Sequence, residues 1–224
     1  MSLFDSIRWN PRIGRYQRKD GKLIARDVVL QLTRNNIDVQ RQELVSLADR
    51  LNTGEITLSQ FQQDCAELVK RIHIQSAVLG KGGIDQMQPE DWLTVARELK
   101  RQYKDGRDPI TGQRFGLKFL GEAIQKKLVS LPQLKNALTM FAASAKVSYF
   151  RANAIANKLT GKPYGIRRLG KSNNCPDCVR YANLLPQAIE NVILPTQQCR
   201  CRVNCGCVVI PLTLEEAIRR GLKQ

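Results

Sequence analysis

Six of the seven cysteines, Cys175, Cys178, Cys199, Cys201, Cys205 and Cys207, fall within residues 174–209. The first two form a C-P-D-C knuckle, and the other four lie in the run C-R-C-R-V-N-C-G-C after a short insert. Thiolates paired on one tight turn and closed by a second set across an insert are what a tetrahedral zinc ion requires. Metal binding would also replace the apolar core that so small a segment cannot build alone. Zinc takes four ligands and six are offered. The spacing favours Cys175, Cys178, Cys201 and Cys205, with Cys199 and Cys207 as alternates, and a two-ion, six-cysteine cluster is the other arrangement. A disulfide knot competes with the metal reading, but disulfides belong to secreted chains, and the opening MSLFDSIRWNPRIG has no apolar signal segment. A thioredoxin-like role for C-P-D-C would need a βαβ context that the pattern does not offer.

Little else in the sequence points to catalysis. The single histidine, His73, sits inside a helical pattern with no nucleophile elbow or triad motif around it. No paired-carboxylate motif emerges. A catalytic zinc keeps an open position and a nearby acid or base, whereas this cluster has surplus cysteines and only Asp177 and Glu190 as acids within it. The expectation is a closed structural site, no enzyme and no small-molecule substrate. Cys65, on the apolar face of a helix, reads as a plain buried thiol.

Charge is the second strong signal. The chain of 224 residues carries a net +16, and its excess lies at the two ends, in residues 1–26 and 151–224. The middle is nearly balanced. Such ends suit a polyanion, double-stranded DNA among them, although no recognition-helix motif supports base readout. Candidate contacts are Arg12, Arg15, Arg18, Arg167, Arg168, Arg200 and Arg202. No run is long and apolar enough for a transmembrane helix, so no membrane partner is expected.

The elements that must carry these residues read as mainly α: a helical-bundle body with a small C-terminal cysteine-rich zinc-binding module. Residues 1–23 form a basic, extended arm broken by Pro11 and Gly14, with Phe4, Trp9 and Tyr16 interleaved among its cations. Residues 24–160 form the helical body, 161–212 the zinc module and 213–224 a C-terminal helix. Within the body, Ile37, Leu44, Leu47 and Leu51 mark one helix face. Thr57 with Gln60 suggests a capping box, and Phe61, Cys65, Leu68 and Ile72 mark the core face behind it. The cluster Gly80-Lys81-Gly82-Gly83 reads as a linker. Pro89–Tyr103 is predicted as a helix with Trp92, Val95, Ala96 and Leu99 buried, and Leu117–Leu128 as a shorter one. The three-four spacing from Leu131 to Leu159 predicts the longest helix, with small residues at 145, 148 and 152 for a close neighbour. Gly161–Lys171 reads as a basic linker, and Thr213 with Glu216 as the capping box of the last helix.

The order of these features resembles the tailed-bacteriophage head morphogenesis, or minor head protein, family of the Mu F-like class. The arm segment Arg15-Tyr16-Gln17-Arg18-Lys19-Asp20-Gly21-Lys22 is similar to a Y-R-D-x-x-G-R-F segment that precedes the first helix there. Thr57-Leu-Ser-Gln-Phe61, Leu79-Gly80-Lys81-Gly82-Gly83, Met87-Gln-Pro-Glu-Asp-Trp92 and Gln102-Tyr103 resemble successive landmarks of that family's helical region. Leu194-Pro-Thr196 followed by Cys199-Arg-Cys-Arg-Val-Asn-Cys-Gly-Cys207 is similar to its C-x-x-C … N-C-x-C ending. Arg202-Val203 stands where many relatives have His-Pro, which leaves an all-cysteine site. The resemblance implies a structural protein of the virion head near the portal vertex, assembled in the bacterial host cytoplasm. Its partners would be the portal protein, the major capsid or scaffolding protein and, at the basic ends, double-stranded DNA. The alternative is a zinc-stabilised nucleic-acid-binding regulator.

Overall fold

A helical apolar rhythm runs through the middle of the chain, and the computed structural model is accordingly mainly helical. It describes residues 7–10, 12–13, 15–104, 106–107, 114–170, 174–195, 198–201 and 205–222. Helix α1 (Arg26–Asn52) buries Ile37, Leu44 and Leu47 and ends at Thr53, followed by Gly54 at φ +76°. Helix α2 (Leu58–Lys81) starts at Thr57, whose hydroxyl accepts the Gln60 N–H at 3.1 Å. The Gln60 side chain turns instead to Asp64 at 2.6 Å, so half of the expected capping box forms. Phe61, Cys65, Leu68 and Ile72 are all buried on α2, which packs along α1.

The basic N-terminal stretch is extended but not free. Strands β1 (Ile7–Asn10), β2 (Arg15–Arg18) and β3 (Leu23–Ile24) form an antiparallel sheet in which Trp9 faces Tyr16. Ile7, Trp9 and Tyr16 are buried in a core shared with Val29, Leu79 and Tyr149. Trp9 and Tyr16 thus anchor the stretch on the chain's own helices, while Phe4 lies outside the described residues. The Tyr16 hydroxyl donates to the Gly80 carbonyl at 2.9 Å and accepts from Asn153 Nδ2 at 2.8 Å.

That docking explains the glycine cluster, which is a packed joint and not a linker. α2 continues through Lys81 before Gly82 caps it in the left-handed region. A Cβ on Gly80 would lie 2.2 Å from the Tyr149 carbonyl oxygen, and one on Gly82 2.0 Å from Trp9 Cβ. Between them Lys81 is buried and meets Asp91 Oδ2 at 2.6 Å.

Helix α3 (Pro89–Tyr103) has the expected bounds but buries a different face. Trp92 is 38 % exposed and Ala96 is exposed, while Asp91, Val95, Glu98 and Gln102 are buried. Two ion pairs set this rotation: Asp91 with Lys81, and Glu98 with Arg151 at 3.0 Å. Desolvated charges must be paired, so they override a weak apolar stripe. A short hairpin of β4 (Gly106–Arg107) and β5 (Arg114–Phe115) leads into α4 (Leu117–Gln125).

The long C-terminal body helix is two helices, α5 (Leu131–Ser144) and α6 (Lys146–Leu159), which meet at Ala145. The Ser144 hydroxyl donates to the Phe141 carbonyl at 2.6 Å, and the Ala145 N–H bonds the Ala142 carbonyl at 3.2 Å. These three-residue links compete with the regular i to i−4 ladder and break the helix there. α5 packs on α1, and α6 lies along α2. The small residues expected to admit a close neighbour do so: Ala145, Ser148 and Ala152 are buried, with Gly80 against α6.

Beyond α6, the stretch read as a basic linker holds strand β6 (Tyr164–Arg168). It is the middle strand of an antiparallel sheet, with β7 (Gln187–Ala188) on one side and β8 (Val208–Leu212) on the other. Helix α7 (Pro176–Ala182) lies between β6 and β7 in the chain. Helix α8 (Leu214–Arg219) closes the described chain on the expected box, with Thr213 and Glu216 bonded reciprocally at 2.8 and 3.1 Å. Among the described residues no helix is long and apolar enough to cross a membrane.

Candidate metal centre

C-P-D-C works as a helix start. Cys175 is the N-cap of α7, Pro176 takes the first helical position, where its missing N–H is harmless, and Cys178 falls in the first turn. The two sulfurs are 3.5 Å apart. The second set arrives on a turn held to α7 by Asp177, whose carboxylate accepts the Arg200 N–H at 3.0 Å. The Tyr181 hydroxyl adds a donation to the Gln198 carbonyl at 2.9 Å. Cys205 and Cys207 lie on the approach to β8, and the β6–β8 pairing fixes where they stand.

Four sulfurs, those of Cys178, Cys199, Cys201 and Cys205, lie within 4.8 Å of one another. Cys178 is 3.3 Å from Cys201 and 3.7 Å from Cys205, and Cys199 is 3.4 Å from Cys201. Thiolates bound tetrahedrally at about 2.3 Å stand about 3.8 Å apart, so this group fits a thiolate-bound divalent ion. It contains three of the four cysteines favoured by spacing. Cys199 takes the place given to Cys175, because Cys199 is fully buried inside the group while Cys175 sits at its half-exposed rim. Cys207 is buried beside the group, hydrogen-bonded with Cys178 and Arg167, and its sulfur stands 3.8 Å from Asn174 Oδ1. None of the seven cysteines is joined in a disulfide.

The electrostatics fit a cation among the sulfurs. Burial, then hydrogen bonding with Cys201 and Cys175, raises the Cys178 thiol well above its ordinary pKa. Its bond with Cys205, then burial, does the same for Cys199, and burial does so for Cys201. At Cys175 burial is outweighed by hydrogen bonds from the backbone and thiols of Cys178 and Cys201, which bring it down to about 7. Sulfurs this close do not ionise together unaided. A divalent ion would displace their protons and hold them as thiolates.

One residue at this centre was assigned elsewhere by the sequence. Arg167, expected to contact DNA, is only 3 % exposed. Strand alternation puts it on the buried face of β6 together with Gly165. Its Nη2 lies 2.9 Å from Cys205 Sγ, 3.3 Å from Cys178 Sγ and 3.4 Å from Cys199 Sγ. Nη1 donates to the Ile193 carbonyl at 3.3 Å, and the guanidinium stands 5.3 Å from the Tyr181 ring centre. A run of Arg167-Arg168 gives no local hint of this. The only available signal was the alternation of Tyr164–Arg168, which assigns its two arginines to opposite faces.

The remaining DNA candidates divide three ways. Arg12, Arg15, Arg18 and Arg168 are exposed. Arg200 is exposed but shares Asp177 with Arg180, each at 3.6 Å. Arg202 lies outside the described residues. A cleft of about 480 Å³ between the N-terminal sheet, the start of α1 and β8 is lined by Arg15, Arg26 and Lys162, and none of its described lining residues is acidic. His73 is enclosed, with Nδ1 2.8 Å from Ser148 Oγ and Nε2 3.1 Å from Ser144 Oγ.

Comparison with protein-family models, with curated proteins and with solved structures finds no match.

Proposed function

We propose that this chain is a minor head protein of a tailed bacteriophage, a non-enzymatic component that joins the portal to the capsid shell. The observation that carries the reading is the order of landmarks along the chain. A basic Arg15–Lys22 segment, the helical landmarks from Thr57 to Tyr103 and the C-x-x-C … N-C-x-C ending follow one another as in that family. The convergence of Cys178, Cys199, Cys201 and Cys205 supports the ending as a metal knot rather than a chance cysteine run. Zinc is the ion proposed, since a closed, all-thiolate tetrahedral set is its usual structural site.

In this reading the helices form a bundle that makes the protein contacts, with the portal protein and with the major capsid or scaffolding protein. The zinc module then gives the C-terminal end a rigid surface. Exposed Arg12, Arg15, Arg18 and Arg168, together with the cationic cleft beside Arg15, favour contact with the packaged double-stranded DNA. The enclosure of the one histidine supports a role without catalysis. The setting is the virion head near the portal vertex, after assembly in the bacterial cytoplasm.

The test is quantitative mass spectrometry of particles and assembly intermediates of the encoding phage, with portal co-purification from a co-expression strain. Copies comparable in number with the portal, and retention by it, are expected. Absence from particles and from the portal would remove this reading. Salt-dependent, sequence-selective DNA binding in its place would install the regulator.

A further inference from the structure

We propose that Arg167 is the built-in countercation of the thiolate site, donating N–H···S hydrogen bonds to Cys178, Cys199 and Cys205 and thereby setting how tightly the site holds its metal. The inference rests on the metal reading of the cysteine group.

Burying a charge is costly unless it is paired, and Arg167 is almost wholly enclosed on the inner face of β6. Among the described residues no carboxylate pairs with it. The nearby Asp177 is engaged by Arg180 and Arg200. Nη1 has the Ile193 and Leu194 carbonyls at 3.3 and 3.5 Å, and Nε is buried without a hydrogen-bond partner. Its other hydrogen-bond partners among the described residues are sulfurs: three lie within 3.4 Å of Nη2, and Cys207 adds a further contact.

Neutral thiols are weak acceptors and poor company for a buried cation. Thiolates are not. Four of them around a divalent ion leave a net charge of −2, enclosed in a module with little water to spread it. One guanidinium brings that to −1, and the two N–H groups of its Nη2 are shared among three of the four sulfurs. The arrangement makes electrostatic sense when the metal is present and is unfavourable when the sulfurs are protonated. Arg167 touches no metal, so it is a positioning residue that acts through the ligands, as outer-shell donors do at other metal sites.

It also links the site to the body. Arg167 pairs in register with Val209, and Val209 belongs to the core that holds Trp9, Tyr16 and Tyr149. The strand that presents the countercation is therefore fixed by the main fold and not by the metal.

The test compares the full chain with Arg167→Gln and Arg167→Lys. Each is titrated with Co²⁺, read by its thiolate-to-metal charge-transfer band, and then with Zn²⁺ in competition with a chromophoric chelator. Loss of an outer-shell partner typically weakens metal binding by about 10–100-fold, and that is expected for Arg167→Gln. Its charge-transfer band should move to lower energy, because thiolates without N–H donors are more electron-rich. Arg167→Lys keeps the charge but loses the fork, so affinity should return in part while the band stays displaced. Equal Zn²⁺ affinity and an unmoved band in Arg167→Gln would overturn the proposal. Should that variant fail to fold, an unmoved band in Arg167→Lys overturns it equally. Failure of the metal reading looks different: the wild-type chain itself would then give no charge-transfer band.

Discussion

His73 should make the protein acid-sensitive in a way that can be separated from every other titrating group. It is fully enclosed, and its two ring nitrogens are engaged by Ser148 and Ser144. Burial lowers its pKa from the ordinary 6.5 to about 4. Above the unfolded value the ring is neutral in both states, and its stabilising contribution is complete. As pH falls below 6.5 the unfolded chain takes up a proton that the folded ring refuses, so stability drains away until the folded ring titrates near 4. Each pH unit across that window is worth about 1.4 kcal/mol, which gives a loss of about 3 kcal/mol. Carboxylates also titrate in acid, so the histidine term must be taken as a difference. His73→Gln removes the titration and forfeits part of the hydrogen bonding, with an expected deficit of about 1–2 kcal/mol at pH 7. Urea unfolding followed by far-UV circular dichroism, from pH 7.5 to 4.5 with both proteins in chelator, measures the pair. The wild-type advantage should shrink as pH falls and then change sign. Parallel stability curves, with a constant gap between the two proteins, would refute the reasoning.

Three further outcomes are expected. Lys81→Met strands the Asp91 carboxylate in the interior and should cost about 3–5 kcal/mol in denaturant unfolding, whereas Lys81→Met with Asp91→Leu should recover most of it. The recovery stays incomplete because Asp91 also accepts the Gln88 N–H at 2.8 Å in the cap of α3, a contact worth about 1 kcal/mol. Cys178→Ser and Cys205→Ser should abolish stoichiometric metal retention by elemental analysis while Cys207→Ser keeps it, and equal loss in all three would assign the ligands differently. Replacing Arg15, Arg18 and Arg168 by Ser should weaken binding to duplex DNA and flatten its logarithmic salt dependence by up to about 3, and an unchanged slope would remove those side chains from any phosphate contact.

Helix positions were legible because apolar spacing and caps are local. Thr57, Pro89 and Thr213 each mark a start that the fold uses. What the spacing missed came from polar atoms acting across the fold. The buried face of α3 follows Asp91 and Glu98, whose partners Lys81 and Arg151 lie on other helices, so no periodicity within Pro89–Tyr103 could reveal it. The break at Ala145 follows a serine hydroxyl bonded to its own helix, inside an otherwise unbroken apolar stripe. The glycines at 80 and 82 look like a flexible linker for the same reason. Their purpose lies in Tyr149 and Trp9, distant in sequence, whose atoms fill the space a Cβ would need.

The cysteine module sharpens the same distinction between what is local and what is not. C-P-D-C shows that two thiols meet, because that is set within one helical turn. Which others join them depends on the antiparallel register of β6 and β8, strands that lie within a stretch read as a basic linker and within the zinc module. Pairing Arg168 with Val208 and Arg167 with Val209 fixes where Cys205 and Cys207, just ahead of β8, meet Arg167 and Cys178. The same register turns Arg167 inward and Arg168 outward, although composition alone makes the two residues equivalent. Net charge therefore overstates the surface available to a polyanion at this end of the chain, since one of its cations faces sulfur. A basic count becomes a statement about DNA only after each arginine has been placed on a face.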